Sequence, residues 1–181
     1  MALKSTHWYR RCRPPHTHTT TLTSLCAAQA CPGAVLGQGN VRQKCLLDVV
    51  DEHFRTNEEK YDAAVVLAGV NDLAGDDLAE EVFVRLGRLC ERLRDHGLRV
   101  FVLTVPRLCQ RHSWEKHRMQ YNDHIRSLSQ VTVVDAAKHL EALCQIDSAA
   151  HAALFDPDGL HLSSLGYVVV ALLLRRSLLL P

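Results

Sequence analysis

No stretch of this 181-residue chain is apolar for long enough to cross a bilayer. The greasy C-terminal segment from Val168 to Leu174 runs into Arg175-Arg176, and a membrane span needs about 20 such residues. Asp and Glu are missing altogether before Asp48, yet the formal net charge of the whole chain is only +1. That balance argues against a general attraction to nucleic acid or to an acidic membrane. Seven cysteines, at 12, 26, 31, 45, 90, 109 and 144, include no Cys-x-x-Cys pair and no other zinc-like spacing. Scattered thiols in odd number suit a reducing compartment, where most serve as small apolar packing residues, so an intracellular, chiefly cytoplasmic, location is expected. No linker divides the chain, and residues 1–181 are read as one domain with a proper core. Residues 1–20 stand apart, rich in Arg and Thr and free of acid. That composition suits organelle targeting or an extension outside the fold.

What is present is an alternation of apolar strands and amphipathic helices. Tyr61-Asp62-Ala63-Ala64-Val65-Val66-Leu67-Ala68 reads as a strand buried on both faces, and Arg99 to Pro106 and Val131 to Asp135 read likewise. Between them, Leu78, Val82, Leu86, Leu89 and Leu93 recur at helical steps over Asp76–His96, with Asp76 or Asp77 as N-cap, Gly97 at the end and a solvated Glu/Arg face. A helix is expected over Thr21–Gln29, from Leu22, Leu25 and Cys26, and others over Val41–Phe54, Trp114–Leu128, Ala136–Leu154 and Ser163–Leu180. With strands near residues 3, 35, 65, 102 and 133, the pattern predicts an α/β fold of three layers, α/β/α, around a parallel sheet of about five strands.

Two motifs carry chemistry. Asp158-Gly159-Leu160-His161 puts a carboxylate and an imidazole three residues apart, ahead of the last helix. If the chain turns at Gly159, Asp158 accepts a hydrogen bond from one ring nitrogen of His161 and leaves the other to take a proton from a nucleophile. The bland alternative is an acidic loop with Ser163 or Ser164 as N-cap and His161 on the surface. Gly69-Val70-Asn71-Asp72 ends the buried strand at 63–67. Open parallel sheets keep their chemistry at such carboxyl ends, and the Asn71 amide is suited to donate to a developing oxyanion. The eleven histidines and the His16-x-His18 pair raise metal-dependent hydrolysis, but they are scattered over helices and loops, where a metal site needs converging ligands.

Gly-x-Asn-Asp after a buried strand, followed much later by Asp-x-x-His before the final helix, resembles the SGNH hydrolase family, also called GDSL esterases and lipases. The resemblance covers the chain from about Gly33 to the C-terminus and implies the flavodoxin-like fold of that family. It also implies acyl transfer without a cofactor or metal on a small-molecule ester substrate. Asp158 and His161 would complete a triad, and the Gly39 N–H and the Asn71 side chain would form the oxyanion hole. In the family the nucleophile is the serine of a Gly-Asp-Ser motif, about thirty residues before the hole glycine. This chain has no Gly-Asp-Ser. Ser5, in Ala2-Leu3-Lys4-Ser5-Thr6, stands at a compatible distance, and Ser24 ranks behind it because it falls inside the expected helix over 21–29 and lies close to Gly39 in sequence. The competing reading is a remnant of the fold that binds esters or glycans without cleaving them. The loop from Arg107 to Ser113 leaves a strand's carboxyl end and is expected to wall the cleft.

Overall fold

The computed structural model describes residues 21–23, 43–58, 60–75, 77–107, 114–146, 148–157 and 161–179. Its centre is strand β2, Ala63–Val66, buried at all four positions. A run without polar alternation has to be covered on both faces, and this one is. β2 pairs in parallel with β1, Thr21–Thr23, on one side and with β3, Arg99–Leu103, on the other, and β3 pairs with β4, Thr132–Val134. The order is β1-β2-β3-β4, with Ala64 beside Val100 and Phe101 beside Thr132.

Side chains alternate along a strand, and that alternation divides the core in two. Ala64, Val66, Val100 and Val102 face one cluster with residues of α1 (Gln43–Thr56), α3 (Ala79–Asp95) and α4 (Glu115–Arg126). Ala63, Val65, Phe101, Leu103 and Val134 face another with residues of α5 (Ala136–Ile146), α6 (Ser148–Leu154) and α7 (Ser164–Leu179). The three-layer α/β/α arrangement with a parallel sheet is therefore as expected. Strands were also expected near residues 3 and 35; both positions lie outside the described residues.

Several local expectations are corrected. Thr21–Thr23 is a strand, not the first turn of a helix: two β-branched residues flank Leu22, and β2 offers an edge to pair with. Helix α3 begins later than expected, with Leu78 at its N-cap and no side-chain cap. Asp77 turns instead to Arg85, 2.5 Å away. Arg85 is accordingly not part of a solvated face. In α4, Met119 is exposed while Tyr121, Asn122 and Ile125 are buried. The segment expected as one irregular helix over 136–154 is two, α5 and α6.

Val82, Leu86, Leu89 and Leu93 are each buried to 3% exposure or less. At about 2 kcal/mol for each such side chain, they outweigh exposed pairs like Arg92–Asp51, worth under about 1 kcal/mol, in holding α3 to the sheet. Gly87 sits in the middle of that helix, and a Cβ there would meet nothing within 4 Å. Gly87→Ala is therefore expected to stabilise the protein by about 1 kcal/mol, the helix-propensity difference alone. Chemical denaturation checks it, and a midpoint at or below that of the parent would show that the space is not open.

Candidate active site at the strand tips

Beyond β2 the chain runs Leu67-Ala68-Gly69 and then winds into α2, the single turn Val70–Leu73. Gly69 has φ +102°, a conformation L side chains rarely adopt. A methyl group there would also stand 2.8 Å from the ring of Tyr121. The Tyr121 hydroxyl donates to the Ala68 carbonyl at 3.0 Å. Asn71, half-buried, is the second residue of α2, at the carboxyl end of the central strand. Asp72 next to it is 1% exposed, with its carboxylate 3.4 Å from Arg85. Its carbonyl accepts from Gly75 N at 3.0 Å and Asp77 N at 3.1 Å.

The exits of β3 and β4 are fixed as firmly. Asn122, 2% exposed, receives the Val105 N–H at 2.8 Å and returns its own amide to the Val105 carbonyl at 2.9 Å. Arg118 Nη1 donates to the same carbonyl at 2.8 Å, and its other nitrogens reach Glu115 and Glu141. Burial pulls the Arg118 pKa down, but the two carboxylates outweigh it and the guanidinium stays charged. The Thr104 hydroxyl donates to Asp135 Oδ1 at 2.9 Å and accepts the Ala137 N–H at 2.9 Å, which joins the two strand tips to the start of α5.

Burial works to raise the Asp135 carboxyl, and hydrogen bonds from Arg126, Thr104 and the Lys138 N–H override it, holding the group below the ordinary carboxylate range. A folded-state pKa below the unfolded one means stability that is present in full above roughly pH 4, the unfolded value. It is lost as pH falls through the lower folded value. Asp135→Asn is therefore expected to cost about 1 to 3 kcal/mol near neutrality and much less in strong acid. Urea midpoints at the two pH values check this, and a penalty that persists in acid would discount the charge.

The last loop is tied at its base. Phe155 and Leu162, both buried, form an antiparallel bridge. The Asp156 N–H donates to the His161 carbonyl at 2.9 Å, and the Ser163 N–H donates to the Leu154 carbonyl at 2.9 Å. The chain thus folds back between 155 and 162, with the His161 side chain exposed. Ser163 caps α7, accepting the Gly166 N–H at 3.2 Å. Leu67, one residue past β2, packs against the cluster that contains Phe155 and Leu162.

Of the five residues expected to form the site, Asn71 and His161 are thus placed; Ser5, Gly39 and Asp158 lie outside the described residues, as does most of the loop expected to wall the cleft. What the sequence did not signal is the rest of the supporting set, Tyr121, Arg85 and Arg118. The strand-exit carbonyls held by Tyr121 and Arg118 lie 53 and 13 residues away in sequence, although Arg118 also pairs with Glu115 one turn before it. The strand at Thr21–Thr23 carries a further consequence, because the residue that follows it is Ser24.

Among the described residues, no group of three or more His, Cys, Asp or Glu is disposed to hold a metal ion, and no helix is long and apolar enough to cross a membrane. Cys90 and Cys144 are thiols. Burial first, and Glu91 second, push Cys90 up to about 12, so it is expected to resist iodoacetamide in the folded protein and react only on unfolding. Mass spectrometry of the labelled native protein checks this, and a modified Cys90 peptide would contradict it. A groove of about 240 Å³ beside Cys90 is lined also by Phe83, Gly87, Arg94 and Gln130. Its other wall is the turn that enters β4, at the amino end of that strand, so it takes no part in the strand-tip chemistry.

A sequence profile of the GDSL-like lipase/acylhydrolase family matches residues 7–169. Curated protein sequences give no match. The fold is similar to the crystal structure of an acetyl xylan esterase, AlAXEase, with TM-score 0.67 and 19% identity over 83% of this chain and 81% of that one. It is similar also to a GDSL-like lipase from Bacteroides thetaiotaomicron, with TM-score 0.63 and 15% identity over 81% and 74%. A lipase/acylhydrolase from Enterococcus faecalis gives TM-score 0.59 and 19% identity over 82% and 75%.

Proposed function

Because the chain belongs to the GDSL-like lipase/acylhydrolase family, we propose that it is a serine hydrolase that cleaves carboxylic esters through a covalent acyl-enzyme. A serine Oγ adds to the ester carbonyl as its proton passes to His161, whose imidazole is oriented by Asp158. The negative charge that develops on the carbonyl oxygen is met by the Asn71 amide and the Gly39 N–H. Collapse of the tetrahedral species breaks the C–O bond, and His161 returns the proton to the departing alcohol. Water then repeats the sequence and frees the acid.

The observation that carries this reading is the placement of Asn71. It stands at the tip of a strand buried at all four positions, on a turn held by a left-handed glycine, where an amide donor of fixed position is worth most. Leu67 supports the approach of the His161 loop, since it packs against the same apolar cluster as that loop's two bridging residues.

For the nucleophile, Ser5 stands on the spacing of the family motif. Ser24 directly follows Thr21–Thr23, a strand that pairs with β2, while its closeness to Gly39 in sequence counts against it. A fluorophosphonate probe decides between them, because Ser5 and Ser24 fall on different tryptic peptides. One labelled serine is expected, with labelling abolished in His161→Ala. A folded protein that takes no label would replace the enzyme with a binding remnant. The similarity to an acetyl xylan esterase makes small acetyl esters the first substrates to try.

A further inference from the structure

We propose that Tyr121 is a positioning residue for the Asn71 amide, acting through the backbone of Ala68 and Gly69; this rests on the reading of Asn71 as an oxyanion donor. Helix α2 is only four residues long, too short to hold its own conformation. Its bearing is set from outside. On one side Arg85 faces the buried Asp72 carboxylate while Asp77, also paired to Arg85, donates its N–H to the Asp72 carbonyl. On the other stands Tyr121, from α4 and 53 residues away from Ala68 in sequence.

Tyr121 makes two contacts that a plain hydrophobic residue would not combine. Its ring lies against the bare Cα of Gly69, leaving no room for a methyl group. Its hydroxyl fixes the Ala68 carbonyl at 3.0 Å. The side chain is completely buried, and packing alone would be met by Phe without the cost of a phenol that needs a partner. The carbonyl it holds is the last before the chain changes hand at Gly69, so a rotation there would swing the whole α2 turn. An oxyanion donor is effective only when held near its final geometry before reaction. Tyr121 is therefore the part of the core that converts a flexible strand exit into a fixed donor.

The experiment compares Tyr121→Phe, Asn71→Ala and the double variant with p-nitrophenyl acetate, together with amide exchange across 69–74. Asn71→Ala is expected to lower kcat about a hundredfold. Tyr121→Phe keeps the ring wedge and loses only the hydroxyl; it is expected to lower kcat about three- to tenfold with KM within twofold, and to add nothing in the Asn71→Ala background. The Leu73 and Ala74 amides, bonded to the Gly69 and Val70 carbonyls at 2.9 Å, are expected to exchange at least tenfold faster in Tyr121→Phe, with β3 unchanged. Wild-type kcat and exchange in Tyr121→Phe beside a slow Asn71→Ala would overturn this proposal alone, as would equal losses in both backgrounds. Wild-type kcat in Asn71→Ala would overturn the oxyanion reading and this proposal with it.

Discussion

Replacement of His161 by alanine is expected to lower kcat/KM toward a short acyl ester by at least about a thousandfold, with a melting temperature within a degree or so of the parent. The two halves of this expectation come from different parts of the structure. The imidazole is exposed, and exposed substitutions rarely move stability by more than about 0.5 kcal/mol. The His161 carbonyl accepts the Asp156 N–H, and alanine retains that carbonyl. The bridge of Phe155 with Leu162 is likewise indifferent to the side chain at 161. Catalysis is not indifferent, because in the proposed scheme the same ring both accepts and returns the proton. Steady-state kinetics beside a thermal melt separates the effects. Unchanged kcat/KM would remove His161 from the mechanism, and with it the motif that led to a hydrolase. A chelator-treated sample is expected to keep full activity; hydrolysis restored only by added zinc would move the chemistry to a metal.

The position of Asn71 at a strand tip was legible because the relevant physics is local. A run such as Ala63 to Leu67 with no polar alternation suits a strand covered on both faces, and in a parallel sheet the residues just past it line the working edge. Helix α3 was legible for the same kind of reason, its apolar residues recurring at three and four. The strand at Thr21–Thr23 was not. Leu22, Leu25 and Cys26 carry a helical spacing, and what overrides it is the edge of β2, forty residues further on. Asp76 or Asp77 was expected to cap α3 because caps are read from adjacent sequence, but Leu78 holds that position and Arg85 draws the Asp77 carboxylate away. Tyr121, Arg118 and Asn122 belong to the same class: each holds a strand exit whose carbonyl is at least 13 residues distant in sequence. The nucleophile was obscure for a different reason, since the Gly-Asp-Ser signal that would mark it is missing from the chain.

Gly166→Ala is expected to destabilise the protein by about 2 to 4 kcal/mol and to lower its melting temperature by roughly 5 to 15 °C, the opposite of what helix propensity foretells. Gly166 lies in the first turn of α7, where alanine is the better helix former by about 1 kcal/mol. Its Cα, however, lies beneath the carbonyl of Leu154, and a Cβ would come within 2.2 Å of that oxygen. The Leu154 carbonyl has little freedom to retreat, because it already accepts the Ser163 N–H at 2.9 Å. The Leu162 side chain, at 3.1 Å from the same Cβ, closes the other side and is itself buried in the second core. Either α7 slides outward, uncovering Val170 and Leu174, or the bridge at Phe155 and Leu162 opens. Both routes disturb the loop that carries His161, so activity is expected to fall along with stability, unlike the separation expected for His161→Ala. Gly87→Ala supplies the control, the same chemical change in a helix where the space is open. If both variants raised the denaturation midpoint, propensity rather than the contact with Leu154 would govern α7, and the tight seating of that helix against the end of α6 would have to be given up.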